Sequence, residues 1–406
     1  MMEGKETGES ERPLRVLMIA PTSFFSDYGG HIRILEEAKA LQALGHEVII
    51  VTYYKGSDLP GFDIRRTAPL PWHTDYEVGS SRHKIAFDFY LSIQSLIEGL
   101  RERPGIIHGH MHEGALIGGV LARLLRVPLV FDFQGSMTSE MVDHGFLSPD
   151  SRIHTMVSNL ERAINTRLPD AVLTSSLQAA KLLEQRFDLD PGMIHPLPDC
   201  ADTIRFRPDV LDSRQKEELK SQLGIPADRC VVAYLGLLTD YQGTPYLIEA
   251  ARRLRETGEN VHFLVMGYPN VEHYRMLAQQ AGVGDAMTFT GKIEYRDAPH
   301  YLALGDIAVA PKVSATEGSG KILNYMAMAQ PIVAFDTAVS REYMADLGIY
   351  APVGDGAAFT AAVRDLVHNP QRRRDIGQAL RKRAQETYSW QRAGREIESL
   401  YCLLTN

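Results

Sequence analysis

Short apolar runs alternate with amphipathic segments along almost the whole chain. The first apolar run covers residues 15–20, a segment with apolar residues at helical spacing follows at 31–44, and a second run occupies 47–53. Strand, helix and strand in this order predict a βαβ unit with parallel strands, because a parallel pair needs a long crossover connection. Further runs that begin near 106, 128 and 171 continue the pattern.

The same alternation restarts at Arg229, with amphipathic segments such as 245–255 between the apolar runs. The five runs of this second set cover residues 230–235, 261–266, 286–290, 306–310 and 331–335. A second complete α/β set in one chain predicts two Rossmann-like domains with parallel sheets. A length of 406 residues is enough for each domain to bury its own core.

Composition narrows the class of protein. A hydrophobic content of 44% and a charged content of 23% are typical of a globular domain, and a net charge of −8 disfavours a nucleic-acid partner. The three cysteines, Cys200, Cys230 and Cys402, are too scattered for a disulfide framework or a zinc site. Their pattern fits the reducing cytoplasm, where we expect the protein to act. The longest apolar stretch, 114–133, contains Arg123 and Arg126, which favours a helix plus a strand over a membrane span.

An amphipathic helix is predicted at 81–101, where Ile85, Phe89, Ile93 and Ile97 recur about one turn apart. Basic residues stand at its start. The pattern is typical of a helix packed on its own domain. It also suits contact with an acceptor or with the inner face of a membrane, and the sequence leaves these alternatives open.

The stretch 309–336 is the most informative for function, because it predicts a strand, a glycine-bearing loop, a helix and a second strand. Glu317 precedes the helix start, and Lys321 adds a positive charge in the first turn. Helix N-termini favour phosphate, and an acid beside phosphate suits the hydroxyls of a ribose or a sugar. A capping acid in a surface loop is the alternative. A Walker-type phosphate loop is excluded, because Ala315 and Ile322 occupy positions where that motif needs Gly and Ser or Thr.

The loop after the first strand carries Gly29 and Gly30 directly before a helix. It is not a G-x-G-x-x-G turn, and no acid ends the second strand, so a nicotinamide-dinucleotide site is excluded. An anion site or an ordinary tight turn remains open.

Three histidines, His108, His110 and His112, alternate where a predicted strand meets a helix. A strand would place His108 and His110 on one face, and His112 too if the strand continued. Only Glu113 is near to support a metal, which is too little for a metal site. Strand ends in open α/β sheets bind ligands, so a ligand contact or a structural histidine is expected here.

Several of these motifs together resemble the retaining glycosyltransferases of family 4, which have the GT-B fold. The family's donor signature reads Glu-Gly-Phe-Gly, then Glu-Ala-Met-Ala, then Gly-x-Pro-Val-Val-Ala. The matching residues here are Glu317, Gly318, Gly320, Met326, Ala327, Pro331, Val333 and Ala334. A second motif, Gly-Arg-Leu followed by Lys-Gly, is matched by Gly236, Leu238 and Gly243.

This sequence departs from the family at three positions. Leu237 and Gln242 replace the arginine and lysine that hold the donor diphosphate in the family, and Asn324 replaces the second glutamate. We expect Lys321, with Lys312 and the helix dipole, to supply the missing positive charge.

The resemblance implies two Rossmann-like domains that face each other across a cleft, with a C-terminal helix that returns to the first domain. The segment 195–208 resembles the family's interdomain segment. The expected divisions are a flexible tail at 1–13, a first domain at 14–200, a second domain at 201–386 and the returning helix at 387–406.

The resemblance also implies retaining transfer from a UDP- or GDP-sugar, with a UDP-sugar preferred, to a glycan, lipid-linked or small-molecule acceptor, without a metal or a further cofactor. The implied catalytic residues are His110, Lys321 and Glu317. The implied donor-binding residues are Gly29, Gly30, Gly236, Gln242, Glu317, Gly318, Ser319, Gly320, Lys321 and Asn324. Two alternatives stay open: a degenerate subunit that binds a partner without catalysis, and another GT-B enzyme such as a sugar-nucleotide epimerase.

Overall fold

The computed structural model describes residues 13–25, 29–69, 84–143, 147–313 and 319–406. The chain divides into two compact units. The first comprises the residues up to 175 together with 179–197 and 393–406, and the second comprises 176–178 and 198–392. Each unit is built on one parallel sheet, as the sequence predicted.

The sheet of the first unit has seven strands. They are β1 (Arg15–Ala20), β2 (Glu47–Thr52), β3 (Asp63–Arg66), β4 (Ile106–His110), β5 (Leu129–Phe133), β6 (Ala171–Thr174) and β7 (Ile194–Pro196). The helices of this part of the chain are α1 (Gly29–Ala43), α2 (Lys84–Glu102), α3 (Met111–Leu125), α4 (Met137–Asp143), α5 (Arg152–Arg167) and α6 (Leu177–Phe187). The strand order is β3-β2-β1-β4-β5-β6-β7.

Alternation along the strands divides this unit into two layers. Leu17 pairs with Ile49 on one side and with Ile107 on the other, and all three are buried in one cluster with Leu91 of α2 and Leu121 of α3. Side chains of neighbouring strand residues point to opposite faces, so the residues between these apolar positions face α1 instead. Two apolar faces on each strand explain why the strands read as continuous apolar runs.

The second unit repeats the architecture with six strands. Its first elements along the chain are α7 (Ser213–Gln222), β8 (Cys230–Leu235), α8 (Thr244–Glu256), β9 (Val261–Met266), α9 (Val271–Gln280) and β10 (Met287–Gly291). The remaining elements are α10 (Ala298–Leu302), β11 (Ile307–Ala310), α11 (Gly320–Ala327), β12 (Ile332–Phe335), α12 (Ala338–Met344), β13 (Ile349–Ala351), α13 (Gly356–His368) and α14 (Pro370–Thr387). The strand order is β10-β9-β8-β11-β12-β13, and every pair is parallel.

The last helix, α15 (Trp390–Thr405), belongs to the first unit from Ala393 onward. Its Tyr401 is fully buried and its hydroxyl is hydrogen-bonded to His108 of β4 at 2.7 Å. Gly394 lies against α1, where an added Cβ would come within 2.9 Å of Ala40. The chain therefore ends in the unit in which it begins.

Two expectations about local structure need adjustment. The helix expected within the apolar stretch 114–133 begins earlier, at Met111. The helix expected at 81–101 is described from Lys84 to Glu102, with 81–83 outside the described residues. The three-residue strands β7 and β13 were not anticipated, because runs this short carry no usable periodicity. Within the described part of the chain, no helix is long and apolar enough to cross a membrane.

Candidate active site

Each sheet has one place where the strand order reverses. It lies between β1 and β4 in the first unit and between β8 and β11 in the second. Ligands of open α/β sheets bind outside the carboxyl ends of the strands at such a point. The site residues expected from the sequence follow these four strands. Gly29 and Gly30 come after β1, His110 ends β4, Gly236 follows β8, and Lys321 lies beyond β11.

Lys321 is the centre of the arrangement in the second unit. Its Nζ atom donates to Oε1 of Gln242 at 2.8 Å and to the hydroxyl of Tyr234 at 3.2 Å. The ammonium also lies 4.5 Å from the centroid of the Tyr234 ring, within cation–π range. The Tyr234 hydroxyl donates to the carbonyl of Leu237 at 2.8 Å, so its oxygen lone pairs face the lysine. Burial raises the pKa of this tyrosine, so it remains neutral.

Gly236 is required by the position of that ammonium. A Cβ at Gly236 would lie 2.7 Å from Lys321 Nζ and 3.2 Å from the Tyr234 hydroxyl. Gly243, next to Gln242, is equally confined, because its Cβ would meet the carbonyl oxygen of Pro311 at 1.9 Å. The two glycines of the loop after β8 therefore allow this loop to lie against the loop after β11.

The start of α11 provides the other expected donor-binding residues. Ser319 precedes the helix, and its Oγ is buried without a hydrogen-bond partner among the described residues. Gly320 begins the helix and is exposed, while Asn324 is half-buried one turn later. The apolar side chains of α11, including Ile322 and Leu323, are fully buried and fix the helix on the sheet. Glu317 and Gly318 lie outside the described residues.

The departures from the family motif take on a physical meaning here. Gln242, only 8% exposed, stands where the family has a lysine, and its amide oxygen is paired with the ammonium of Lys321. A positive charge is thus retained next to position 242, although it comes from a different element. Lys312, expected to assist, is also buried.

The first unit contains a buried ionic network at the end of β4. Arg33 of α1 lies 2.8 Å from Asp132 Oδ1 and 3.0 Å from Glu37 Oε1, and it donates to the Leu197 carbonyl at 3.1 Å. His110 Nδ1 lies 3.0 Å from Asp132 Oδ2. Burial raises the pKa of Asp132, but Arg33 and His110 outweigh it and hold that pKa well below its usual range. The carboxylate therefore stays charged and orients both partners.

Glu37, His108 and His110 form the one group among the described residues that could hold a metal ion, with ligand atoms within 4.8 Å of one another. Nε2 of each histidine is buried and has no hydrogen-bond partner among the described residues, and His108 Nε2 lies 3.6 Å from Glu37 Oε2. However, the Arg33 guanidinium contacts the carboxylate of Glu37, and a cation there repels a metal ion. Burial lowers the pKa of His108. These residues fit a buried histidine pair within an ionic network better than a metal centre.

His112, the last of the three alternating histidines, lies on the other side of the sheet from His108 and His110. The strand ends at His110, Met111 has a φ of 57°, and α3 begins there, so the alternation of the strand is broken. The His112 ring packs against Phe131 and Phe133, and its Nε2 lies 3.5 Å from Glu161 of α5. His112 is a buried residue that pairs with an acid of a neighbouring helix.

Sequence reasoning missed Gln134, Asp132 and Arg33. Gln134 donates to Asp132 Oδ2 at 2.8 Å, and its own Oε1 would be 3.0 Å from a Cβ at Gly30. This half-exposed amide connects the expected glycine loop to the ionic network. An acid inside the apolar run of β5, with a polar residue two positions later at the strand end, was the available signal.

Comparison with known proteins gives one consistent result. The family model described as "Glycosyl transferase 4-like domain" matches residues 29–200, and the model described as "Glycosyl transferases group 1" matches residues 215–383. The 2-deoxystreptamine N-acetyl-D-glucosaminyltransferase of Streptomyces fradiae is 26% identical over 87% of this chain and 86% of its own length. The alpha-D-kanosaminyltransferase of Streptomyces kanamyceticus is 26% identical over 74% of this chain and 78% of its own length.

Solved structures agree on the fold. Sucrose-phosphate synthase from Thermosynechococcus elongatus superposes with a TM-score of 0.79 at 19% identity, over 96% of this chain and 99% of that chain. Anabaena HepE, solved in complex with UDP and glucose, gives a TM-score of 0.76 at 14% identity, again over 96% of this chain and 99% of that chain. The two parallel-sheet α/β units match GT-B structures. The chain is an enzyme, and it belongs to the family 4-like glycosyltransferases with the GT-B fold.

Proposed function

We propose that this enzyme transfers a sugar from a nucleotide-sugar donor, with a UDP-sugar preferred, to a glycan, lipid-linked or small-molecule acceptor. We further propose retention of the anomeric configuration and independence from a metal. Retention follows from the resemblance to family 4. The UDP preference is supported by HepE, a structural neighbour solved with UDP. The relatives named for transfer to 2-deoxystreptamine and to inositol 3-phosphate support a small polar acceptor.

The observation that carries the proposal is the position of the Lys321 ammonium. A departing nucleoside diphosphate develops negative charge, and preorganised donors that stabilise this charge contribute most to catalysis. Lys321 follows the N-terminal residue of α11 and contacts Gln242 and Tyr234 at the carboxyl end of β8. A helix dipole contributes only about 0.3–1 kcal/mol at an exposed site. Removal of one donor from such a site costs about 3–4 kcal/mol. The full charge of Lys321 is therefore the larger contribution.

Other residues take the roles expected from the resemblance. Glu317 binds the ribose hydroxyls, and Gly318, Ser319 and Gly320 present the loop and helix N-terminus to the diphosphate. The Oγ of Ser319 is buried and has no hydrogen-bond partner within the described part of the chain. This supports the role, because a buried hydroxyl without a partner is costly unless a ligand satisfies it. Asn324 stands in for the family's second glutamate as a neutral contact.

In the first unit, Gly29, Gly30 and His110 contact the transferred sugar. Because the carboxylate of Asp132 accepts a hydrogen bond from His110 Nδ1, the other ring nitrogen, Nε2, is the one directed to a sugar hydroxyl. Because His110 is fully buried and Gln134 is half-exposed, we assign Gln134 as the part of this network that a ligand meets first.

The direct test is the thermal stability of the purified enzyme with UDP, GDP and ADP and their sugar conjugates, with and without EDTA. A ligand at about 100 times its Kd stabilises the fold by roughly 2.7 kcal/mol, which a melting curve detects. We expect a shift with UDP or a UDP-sugar that persists in EDTA and is lost in Glu317→Ala. A shift that EDTA abolishes would contradict the metal-independent reaction. The anomeric configuration of the product, read by NMR, tests retention.

A second candidate function is favoured by Leu237 and Gln242, which replace the two bases of the family motif. It is a subunit that binds a partner without transferring sugar. No shift with any nucleotide would support this subunit and overturn the transferase. Release of free nucleoside diphosphate without sugar transfer would point instead to an epimerase.

A further inference from the structure

The outer face of α2 in the first unit is almost entirely apolar. Its exposed apolar residues are Ile85, Phe89, Ile93, Leu96, Ile97 and Leu100. Phe89 is 62% exposed and Ile85 is 83% exposed. The amphipathic pattern of this helix therefore has two apolar sides. One of them, which includes Leu91, enters the core, and the other faces outward.

The apolar surface continues over the two neighbouring helices. α3 packs beside α2, and α5 packs beside α3, on the same side of the sheet. Leu116, Val120 and Leu124 are exposed on α3, and Ile153, Met156 and Leu160 are exposed on α5. Apolar patches of this extent mark interaction sites, because isolated globular domains rarely expose them.

Charge on the outer side of these three helices is mainly positive. Among the described residues of α2, α3 and α5, the exposed charged side chains are Arg101, Arg123, Arg152, Arg162 and Arg167. The acids of these helices are turned away. Glu98 and Glu161 are buried, and Glu113 pairs with Lys84 at 2.9 Å. Arg162 pairs with the exposed Asp188 at 3.2 Å, and Arg101 lies 3.4 Å from Glu102. Arg123, Arg152 and Arg167 therefore give this face most of its net positive charge, in a chain whose net charge is −8.

We propose that the joint face of α2, α3 and α5 lies on the surface of a phospholipid bilayer rich in anionic headgroups. Apolar side chains that enter the headgroup region, together with basic side chains that meet anionic lipid, are the two components of interfacial binding. A second copy of the chain is disfavoured as the occupant. A two-fold dimer places the same patch against itself, so Arg123, Arg152 and Arg167 of each copy would meet their own counterparts at one interface.

The test is sedimentation of the full-length protein with phosphatidylcholine vesicles, with and without phosphatidylglycerol. We expect binding only to the anionic vesicles, with an affinity that falls as salt rises. The triple variant Arg101→Gln, Arg123→Gln, Arg152→Gln should bind on the order of 100-fold more weakly, since each basic residue near the surface contributes about a factor of five to ten. The matched control is Arg214→Gln, Arg372→Gln, Arg374→Gln, which removes three exposed arginines from the second unit and should bind normally.

A second variant tests the apolar component. Phe89, Val120 and Met156 are each more than 60% exposed, so changing all three to Gln should leave the melting temperature close to that of the unmodified protein while vesicle binding is lost. Wild type that stays in the supernatant, or equal binding to neutral and anionic vesicles, would overturn the proposal. A dimer in sedimentation velocity that these three changes dissociate would assign the face to a second copy. The assay contains no sugar nucleotide, so its outcome is independent of the proposed function.

Discussion

The ammonium nitrogen of Lys321 lies 2.8 Å from the amide oxygen of Gln242, although the two residues are 79 positions apart. Gln242 occupies the position of the family's diphosphate-binding lysine. The contact therefore keeps a cation at this place in the second unit while changing the element from which it comes. The first prediction therefore moves the positive charge from position 321 to position 242.

We expect Lys321→Ala to lower kcat by about 10²–10³, the usual cost of one lost donor to developing charge. The double variant Lys321→Ala, Gln242→Lys should recover a substantial part of this loss, because it restores one ammonium at the same place. Gln242→Lys alone should lower both kcat and the melting temperature, since two ammonium groups would be crowded together. Steady-state kinetics with the donor identified by thermal shift would measure all three. If Lys321→Ala and the double variant Lys321→Ala, Gln242→Lys were equally active, the cation would have no such role.

Gly236→Ala should reduce activity, and it should also cost some stability, because the φ of 156° at Gly236 is one that residues with a side chain rarely adopt. The new Cβ would lie 2.7 Å from Lys321 Nζ, which is the mobile end of a side chain and moves away at small cost. A displacement of about 1 Å at a catalytic group costs on the order of 10²-fold in rate. Gly282→Ala is the control, because Gly282 also has a positive φ but no atom within 4 Å of its Cβ. Similar kinetics for the two variants would contradict the steric explanation.

Glu161 should make the free energy of unfolding depend on pH. Burial raises the pKa of its carboxyl, but contacts with His112 and Thr138 outweigh this and lower the pKa from 4.5 to about 2. A lowered folded-state pKa means that the carboxylate stabilises the fold above pH 4.5 and loses this contribution as pH falls toward 2. Glu161→Gln should therefore reduce the free energy of unfolding by about 3 kcal/mol at pH 7 and by much less near pH 3. Urea unfolding at both pH values measures this, with exposed Glu184→Gln as the control. A deficit that stays constant with pH would refute it.

Tyr401→Phe should destabilise the first unit by about 1–3 kcal/mol, because it leaves a ring nitrogen of the buried His108 without its hydroxyl partner. The change removes one oxygen and creates almost no cavity. Leu403→Ala on the same helix is the control, since Leu403 is 72% exposed. Chemical unfolding followed by far-UV circular dichroism would report the difference, because the unit is rich in helices. A Tyr401 variant as stable as the control would mean that water or another group replaces the hydroxyl.

The sequence predicted the parts of the fold that local patterns determine. The run Cys230–Leu235 was predicted as a strand with the observed bounds, because its apolar residues are continuous and bounded by glycine and charge. The helix after Ser319 was predicted because apolar residues recur there at helical spacing. The glycines at 236 and 243 were identified from motif spacing, and the structure explains them by close contacts.

Contacts between distant residues could not be predicted in this way. Arg33 and Asp132 are 99 positions apart, and only the strand order of the sheet brings α1 over the end of β5. The outward apolar side of α2 was visible as periodicity, but the sequence could not show which side enters the core. The turn of His112 to the other face depends on one backbone angle at Met111, which residue type does not determine.

The direct passage from β4 into α3 has a mechanical consequence. His110 ends the strand on one face of the sheet, and two residues later His112 lies on the opposite face beneath α5. Gly109 and Gly114 are packed so closely that a Cβ at Gly109 would meet the Gly114 carbonyl at 2.6 Å, which leaves little freedom at this junction. No loop residue separates the end of β4 at His110 from the start of α3 at Met111, so we expect a rotation of α3, the helix whose outer side carries Val120, to act directly on the His110 ring. We therefore expect adsorption through the face of α2, α3 and α5 to be detectable as a change in the geometry around Asp132.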